Sequence, residues 1–152
     1  MDNHITILAL DPGETTGYAW ATIEEQKVTE INAGQGEYSE YDLYLMLSAI
    51  SPTAIIAESF EFRQRARTGL VLMSRNLLGV SRLWAELHGV FYSEQSASQG
   101  KSFFTDDKLR AMEAYKVGLQ HARDATRHLF FWLAFGRGSK LLAEPFYKGR
   151  QE

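Results

Sequence analysis

The 152-residue sequence contains no cysteine. That excludes disulfide frameworks, thiolate zinc sites and cysteine nucleophiles, and it suits a reducing compartment. No apolar run approaches the roughly 20 residues needed to cross a bilayer. The amino-terminal residues lack the charged, apolar and small-residue order of a secretory signal. A soluble, cytoplasmic protein with no membrane partner is therefore expected. Internal repeats and low-complexity segments are also missing, so the chain reads as one domain over residues 1–152, with a poorly patterned tail from about residue 136. Basic residues are scarce in the opening part: residues 1–61 hold one, Lys27, against eleven acidic residues. Residues 62–152 reverse the balance, with fifteen basic against eight acidic. The net charge of −3 gives no sign of a polyanionic partner, yet this asymmetry allows one face to bind one.

What is present is a regular alternation of short apolar and amphipathic segments. His4 to Leu10 passes from alternating to fully apolar, as a strand entering the middle of a sheet does, and ends at Asp11-Pro12-Gly13. Gly17 to Ile23 and Val28 to Ala33 read as two more strands joined by Glu24-Glu25-Gln26-Lys27, giving an antiparallel meander. Ser39 to Ile50 reads as a helix capped by Ser39, with Leu43, Leu47 and Ile50 on its buried face and Pro52 as its stop. Thr53 to Ser59 is a buried strand, parallel to the first through a helical crossover. A long helix is expected from Thr68 to His88, buried through Leu70, Met73, Leu77, Val80, Leu83 and Leu87 and closed by Gly89. A fifth strand, Val90 to Glu94, a polar loop over 96–105, a helix from Asp106 to Leu119 and a last helix from Gln120 to Phe135 complete the pattern.

Two carboxylates stand out. Asp11 lies where one apolar strand stops, and Glu58 interrupts another that is expected to run parallel beside it. Both would emerge at the carboxyl edge of the sheet. At an effective dielectric near 20, two carboxylates about 4 Å apart repel by about 4 kcal/mol. A shared proton relieves that repulsion, and so does a hard divalent cation. Asp-Pro-Gly is also an ordinary turn, so Asp11 alone decides nothing. On the last helix His121 and Asp124 are three residues apart and His128 follows four later, so all three project from one face. Such a polar face can be merely solvated. Asp11, Glu58, His121 and Asp124 together form the donor set a metal centre across a sheet edge would need.

These residues also carry a family resemblance. Ile7-Leu8-Ala9-Leu10-Asp11-Pro12-Gly13 with Thr16-Gly17-Tyr18-Ala19 resembles the first motif of RuvC-type Holliday junction resolvases. Ile55-Ile56-Ala57-Glu58 resembles their second motif, and His121-Ala122-Arg123-Asp124-Ala125 their last. The resemblance covers roughly residues 5–134. The length and the Lys101-containing segment Gln95 to Lys101 look more like compact bacteriophage-encoded members. It implies an α/β ribonuclease H-like fold: a five-stranded mixed sheet, three strands in an antiparallel meander plus two parallel strands, flanked by helices. It implies an endonuclease that nicks four-way junctions and other branched DNA symmetrically, leaving 5′-phosphate and 3′-hydroxyl ends. Asp11, Glu58, His121 and Asp124 would be its catalytic metal ligands, for one or two Mg²⁺ or Mn²⁺ ions. The family's base-stacking aromatic falls close after the second-motif glutamate, where this chain has Phe60 and Phe62.

DNA phosphates are expected to meet Arg63, Arg65, Arg67, Arg75, Lys101 and Lys108; between Phe62 and Ala85 there are five arginines and no acidic residue. Leu72, Leu78 and Trp84 add apolar surface to the long helix beyond one sheet-facing stripe, which a homodimer interface or ordinary core covering would each explain. Three other functions stay open. Asp-Pro-Gly-Glu-Thr-Thr-Gly also resembles the phosphate-contacting turn of actin-like ATPases and sugar kinases, although those clasp a nucleotide between two such domains. A catalytically silent DNA-binding protein of the same fold is the second, and a nuclease of this fold acting on hybrids or flaps the third.

Overall fold

The computed structural model describes residues 4–59 and 69–136. Five strands, β1 (Ile5–Asp11), β2 (Thr16–Glu24), β3 (Lys27–Gly36), β4 (Ala54–Glu58) and β5 (Phe91–Gln95), form one sheet in the order β3-β2-β1-β4-β5. The three-strand meander is antiparallel, and β4 and β5 run parallel to β1. The mixed sheet expected from the sequence is therefore present. Its helices are α1 (Glu40–Ile50), α2 (Gly69–His88), α3 (Ala97–Phe103), α4 (Asp106–Ala111) and α5 (Gln120–Phe135).

Strand parity divides the core into two layers. Ile7, Ala9, Ala19, Ala21, Ala54 and Ile56 face α5, whose Ala125, Leu129, Phe130 and Leu133 pack on them. The opposite face, through Leu8, Leu10, Ile55 and Ala57, is covered by Leu43 and Leu47 of α1 and by Leu77, Leu78, Trp84 and Ala85 of α2. The α5 side is rich in alanine and the other in leucine, so α5 lies closer to the sheet. Helix α1 begins with the expected cap: Ser39 Oγ accepts from Asp42 N at 3.1 Å, and Asp42 accepts in return from Ser39 N at 3.3 Å.

Three expectations need correction. The buried face of α2 is Leu77, Leu78, Ser81, Trp84 and Ala85, whereas Met73, Leu83 and Leu87 are exposed. Leu78 and Trp84 are thus core residues of a single copy, and only Leu72 of the proposed extra surface is free of the core. The loop over 96–105 instead contains helix α3, started by a Ser-x-x-Gln box in which Gln99 Oε1 accepts from Ser96 N at 2.8 Å. The helix expected over 106–119 stops at Ala111, because Glu113 (φ 58°) and Gly118 (φ 74°) take left-handed backbone that a helix interior cannot hold.

Candidate metal centre

Parity and register bring the acidic residues together. Asp11 continues the Ile7-Ala9 face and Glu58 the Ala54-Ile56 face, so both point to the α5 side of the sheet. Leu10 pairs with Ala57 in parallel register, and one step farther lie Asp11 and Glu58. Helix α5 must then come close, and two residues let it. Gly17, the antiparallel partner of Asp11, has no side chain; a Cβ there would stand 1.9 Å from the His121 carbonyl oxygen. Gln35 of β3 supplies the cap that Leu119 cannot, its Oε1 accepting from His121 N at 3.0 Å and Ala122 N at 3.3 Å.

At the resulting junction, ligand atoms of Asp11, His121 and Asp124 all lie within 4.8 Å of one another. His121 Nδ1 is 3.1 Å from Asp11 Oδ2. Asp124 is buried, with Oδ1 accepting from Arg127 Nη1 at 2.7 Å and Oδ2 facing Lys101 Nζ at 3.5 Å. Arg127 is itself held by the Phe104 carbonyl at 2.8 Å and by Asp106. Glu58 stands just outside the tight trio, hydrogen-bonded to Asp11 and, through Oε2, to His128 Nε2 at 2.9 Å.

No family model and no curated protein matches the chain. Among solved structures, Thermus thermophilus RuvC in complex with Holliday junction substrate is similar over 87% of this chain and 97% of its own, at 16% identity and a TM-score of 0.60. Thermus thermophilus RuvC determined separately matches at 14% identity, with the same coverage and a TM-score of 0.58. The yeast mitochondrial Holliday junction resolvase Ydc2 matches at 14% identity over 83% of this chain and 76% of its own, with a TM-score of 0.51. The fold is ribonuclease H-like, of the RuvC type. At such identities the likeness is one of architecture, and the chemistry of this chain rests on its own residues.

Those residues are electrostatically crowded. Asp11 is pushed up to about 8, first by burial, then by the charges of Glu58 and Asp124 and the hydrogen bond with Glu58, against the opposing pull of Lys101. Burial also pushes Glu58 up, but its hydrogen bond and charge interaction with His128, together with Lys101 and the bond from Asp11, outweigh that and leave it below the usual carboxylate range. Near neutral pH the proton of the pair therefore sits on Asp11. A divalent cation held by these residues would take the place of that proton with a stronger positive charge. Two carboxylates and an imidazole with a third carboxylate adjoining suit a hard or borderline ion, and the nitrogen donor tilts the set toward Mn²⁺. The residues present thus fit the metal that the fold family implies.

All four expected ligands are therefore brought to one sheet edge, three in a tight group and Glu58 beside Asp11. Of the expected DNA contacts, Lys101 is at the centre itself, while Arg75 and Lys108 are exposed, the latter with Nζ 3.8 Å above the Phe103 ring. Phe60, Phe62, Arg63, Arg65 and Arg67 lie outside the described residues. The polar face of α5 is only partly solvated: Asp124, Arg127 and His128 are buried, while His121 keeps 40% of its side chain exposed. Sequence reasoning missed Arg127, although its spacing of three from Asp124 is the signal of a helical ion pair. It also missed Gln35, because the third strand was expected to end at Ala33.

Proposed function

We propose that this chain is a divalent-metal-dependent, structure-selective endonuclease that nicks branched DNA, four-way junctions above all, and acts as a homodimer. The observation that carries the reading is the convergence of Asp11, His121 and Asp124 within 4.8 Å, with Glu58 adjoining Asp11, at the carboxyl edge of a RuvC-type sheet. The resolvases of that architecture supply the substrate class: one was solved with Holliday junction DNA bound.

Asp11, Glu58, His121 and Asp124 would hold Mg²⁺ or Mn²⁺, one ion or two, which when bound supplies an acidified water as nucleophile and charge stabilisation at the scissile phosphate. The protein's own groups do the rest. Arg127 fixes Asp124 from behind so that Oδ2 stays turned toward the centre. The Lys101 ammonium, nearly half exposed and 3.5 Å from that oxygen, is placed to meet a phosphate arriving at the same edge. Arg75 and Lys108, exposed on α2 and α4, would meet further phosphates, as would Arg63, Arg65 and Arg67, and Phe60 or Phe62 would stack on an unpaired base. Leu72, Leu83 and Leu87, exposed along α2, are the surface on which a second copy would seat. Host cytoplasm, for a bacteriophage-encoded protein, is the expected location.

The test is incubation with labelled four-way junction, fork and linear duplex, each with EDTA, Mg²⁺ or Mn²⁺. Paired nicks in the junction with 5′-phosphate ends, at least as fast in Mn²⁺ as in Mg²⁺, are expected. Absence of metal-dependent cleavage on all three substrates would sink the reading and favour a silent DNA-binding protein.

A further inference from the structure

His128 is not among the four expected ligands, yet it is one of the most deeply enclosed polar side chains of the centre, 1% exposed within a turn of α5 that also buries Leu129 and Phe130. An imidazole placed there costs free energy unless both ring nitrogens find partners. Both do. Nε2 lies 2.9 Å from Glu58 Oε2, and Nδ1 lies 2.9 Å from Gln95 Oε1. A carboxylate that serves as a ligand can only accept, so Nε2 is the donor in the first of these bonds, and Nδ1 pairs with the Gln95 side-chain amide, whose oxygen and nitrogen exchange places by a half-turn. Gln95 is buried at the end of β5 and is the register partner of Glu58, so three elements close on one carboxylate.

We infer that His128, braced by Gln95, is a positioning residue for Glu58: it fixes that carboxylate beside Asp11 through a directed hydrogen bond and so sets the affinity of the centre for its cation. The inference rests on the metal-dependent reading above. A glutamate side chain with three free torsions loses rotamer entropy each time it must find a ligand geometry, and a preformed bond from a rigid ring removes that cost. Helix geometry adds a second link. His128 follows Asp124 by one turn, so α5 presents Asp124 to the tight trio and His128 to Glu58 from the same face, and any shift of the helix moves both together.

Two substitutions separate direction from packing. The amide of His128→Gln places its nitrogen near the position of Nε2 and keeps a donor for Glu58. The shorter amide of His128→Asn reaches the Nδ1 position beside Gln95 and leaves Glu58 without its bond. Both keep a polar side chain at the site. Mn²⁺ binding to the whole chain without DNA, by calorimetry, should be within about 3-fold of wild type for His128→Gln. For His128→Asn it should be about 10–100-fold weaker. The Mn²⁺ concentration for half-maximal nicking should move in parallel, while junction binding in EDTA stays unchanged. Wild-type Mn²⁺ affinity in His128→Asn, or equal losses in both variants after melts in EDTA confirm that both are folded, would overturn the inference. Failure of the underlying reading is separately visible, because wild-type protein would then bind no Mn²⁺, and the inference would fall with it.

Discussion

Replacing Asp11 by asparagine should stabilise the metal-free protein while abolishing the nicking proposed for it. In the fold Asp11 has only 13% of its side chain exposed and holds its proton up to about pH 8, against 3.8 ordinarily. An acid whose value is raised by folding binds its proton more tightly in the native state. Its contribution is therefore fully favourable below about pH 4 and is lost progressively as the pH climbs to about 8. At about 1.4 kcal/mol per tenfold change in proton affinity, ionising Asp11 in the fold costs on the order of 5 kcal/mol. Asp11 and Glu58 titrate as a pair, so one substitution recovers only part of this, about 2–4 kcal/mol. For a chain of this length that is roughly 5–15 °C in melting temperature. Asparagine can keep the contacts, since its amide nitrogen can donate to Glu58 and its oxygen can accept from His121. Thermal melts of wild type and Asp11→Asn in EDTA, from pH 4 to 9, should coincide at the acid end and diverge until about pH 8, with the variant the more stable. Adding Mn²⁺ should raise the wild-type melt and leave the variant unmoved; the variant should bind junctions and cut none. A variant no more stable than wild type at pH 8–9 in EDTA would refute the claim that burial and the neighbouring carboxylates make Asp11 costly to ionise in the fold.

Gly17→Ala should destabilise by on the order of 3 kcal/mol and abolish Mn²⁺ binding, because its Cβ would sit 1.9 Å from the His121 carbonyl oxygen; Gly79→Ala, with nothing within 4 Å, is the control and should gain up to about 1 kcal/mol by urea melts. Arg127→Met should cost about 3–5 kcal/mol in the same melts, since it leaves the buried Asp124 carboxylate without its closest cation; a neutral result would mean that Lys101 alone suffices. Junction affinity in EDTA should fall steeply with NaCl if phosphates meet the basic residues of the second half of the chain, and a flat response would remove that surface.

The strands and the last helix were legible because their signals are local. Strands of five and seven residues whose apolar runs are broken by Asp-Pro-Gly or ended by a lone glutamate leave few alternatives, and the helix over Gln120–Phe135 agrees with its expected bounds. Parity did the next step: Asp11 and Glu58 follow alanine and isoleucine of one face, so their convergence on α5 could be anticipated without coordinates. What escaped was tertiary. Helix α3 was hidden by its serines and by Gly100, a poor helix former that is there because a Cβ would press to 3.3 Å against Arg127 and the His128 nitrogen. The outward side of α2 was misjudged because leucines at helical spacing occupy both faces, and only packing tells that Trp84 is covered and Leu83 and Leu87 are not. Buried polar partners leave even less trace. Nothing near Gln35 or Gln95 in sequence announces that each closes a bond with α5 at least 33 residues away.

The distribution of positive charge at the centre accounts for which carboxylate a cation would serve most. Asp124 has two permanent cations, Arg127 at 2.7 Å and Lys101 at 3.5 Å. Glu58 has a hydrogen bond from His128 that favours its ionised form. Asp11 contacts only His121 among the basic residues described, and Lys101 lowers its proton affinity less than burial and its two acidic neighbours raise it. The cost of ionisation therefore concentrates on Asp11, the residue that ends the central strand, where its backbone is held by pairing with Gly17 of β2. A divalent ion seated among Asp11, His121 and Asp124 would act where the field is most negative and the backbone most rigid. That combination is what a site needs to hold a reacting phosphate to a fixed geometry.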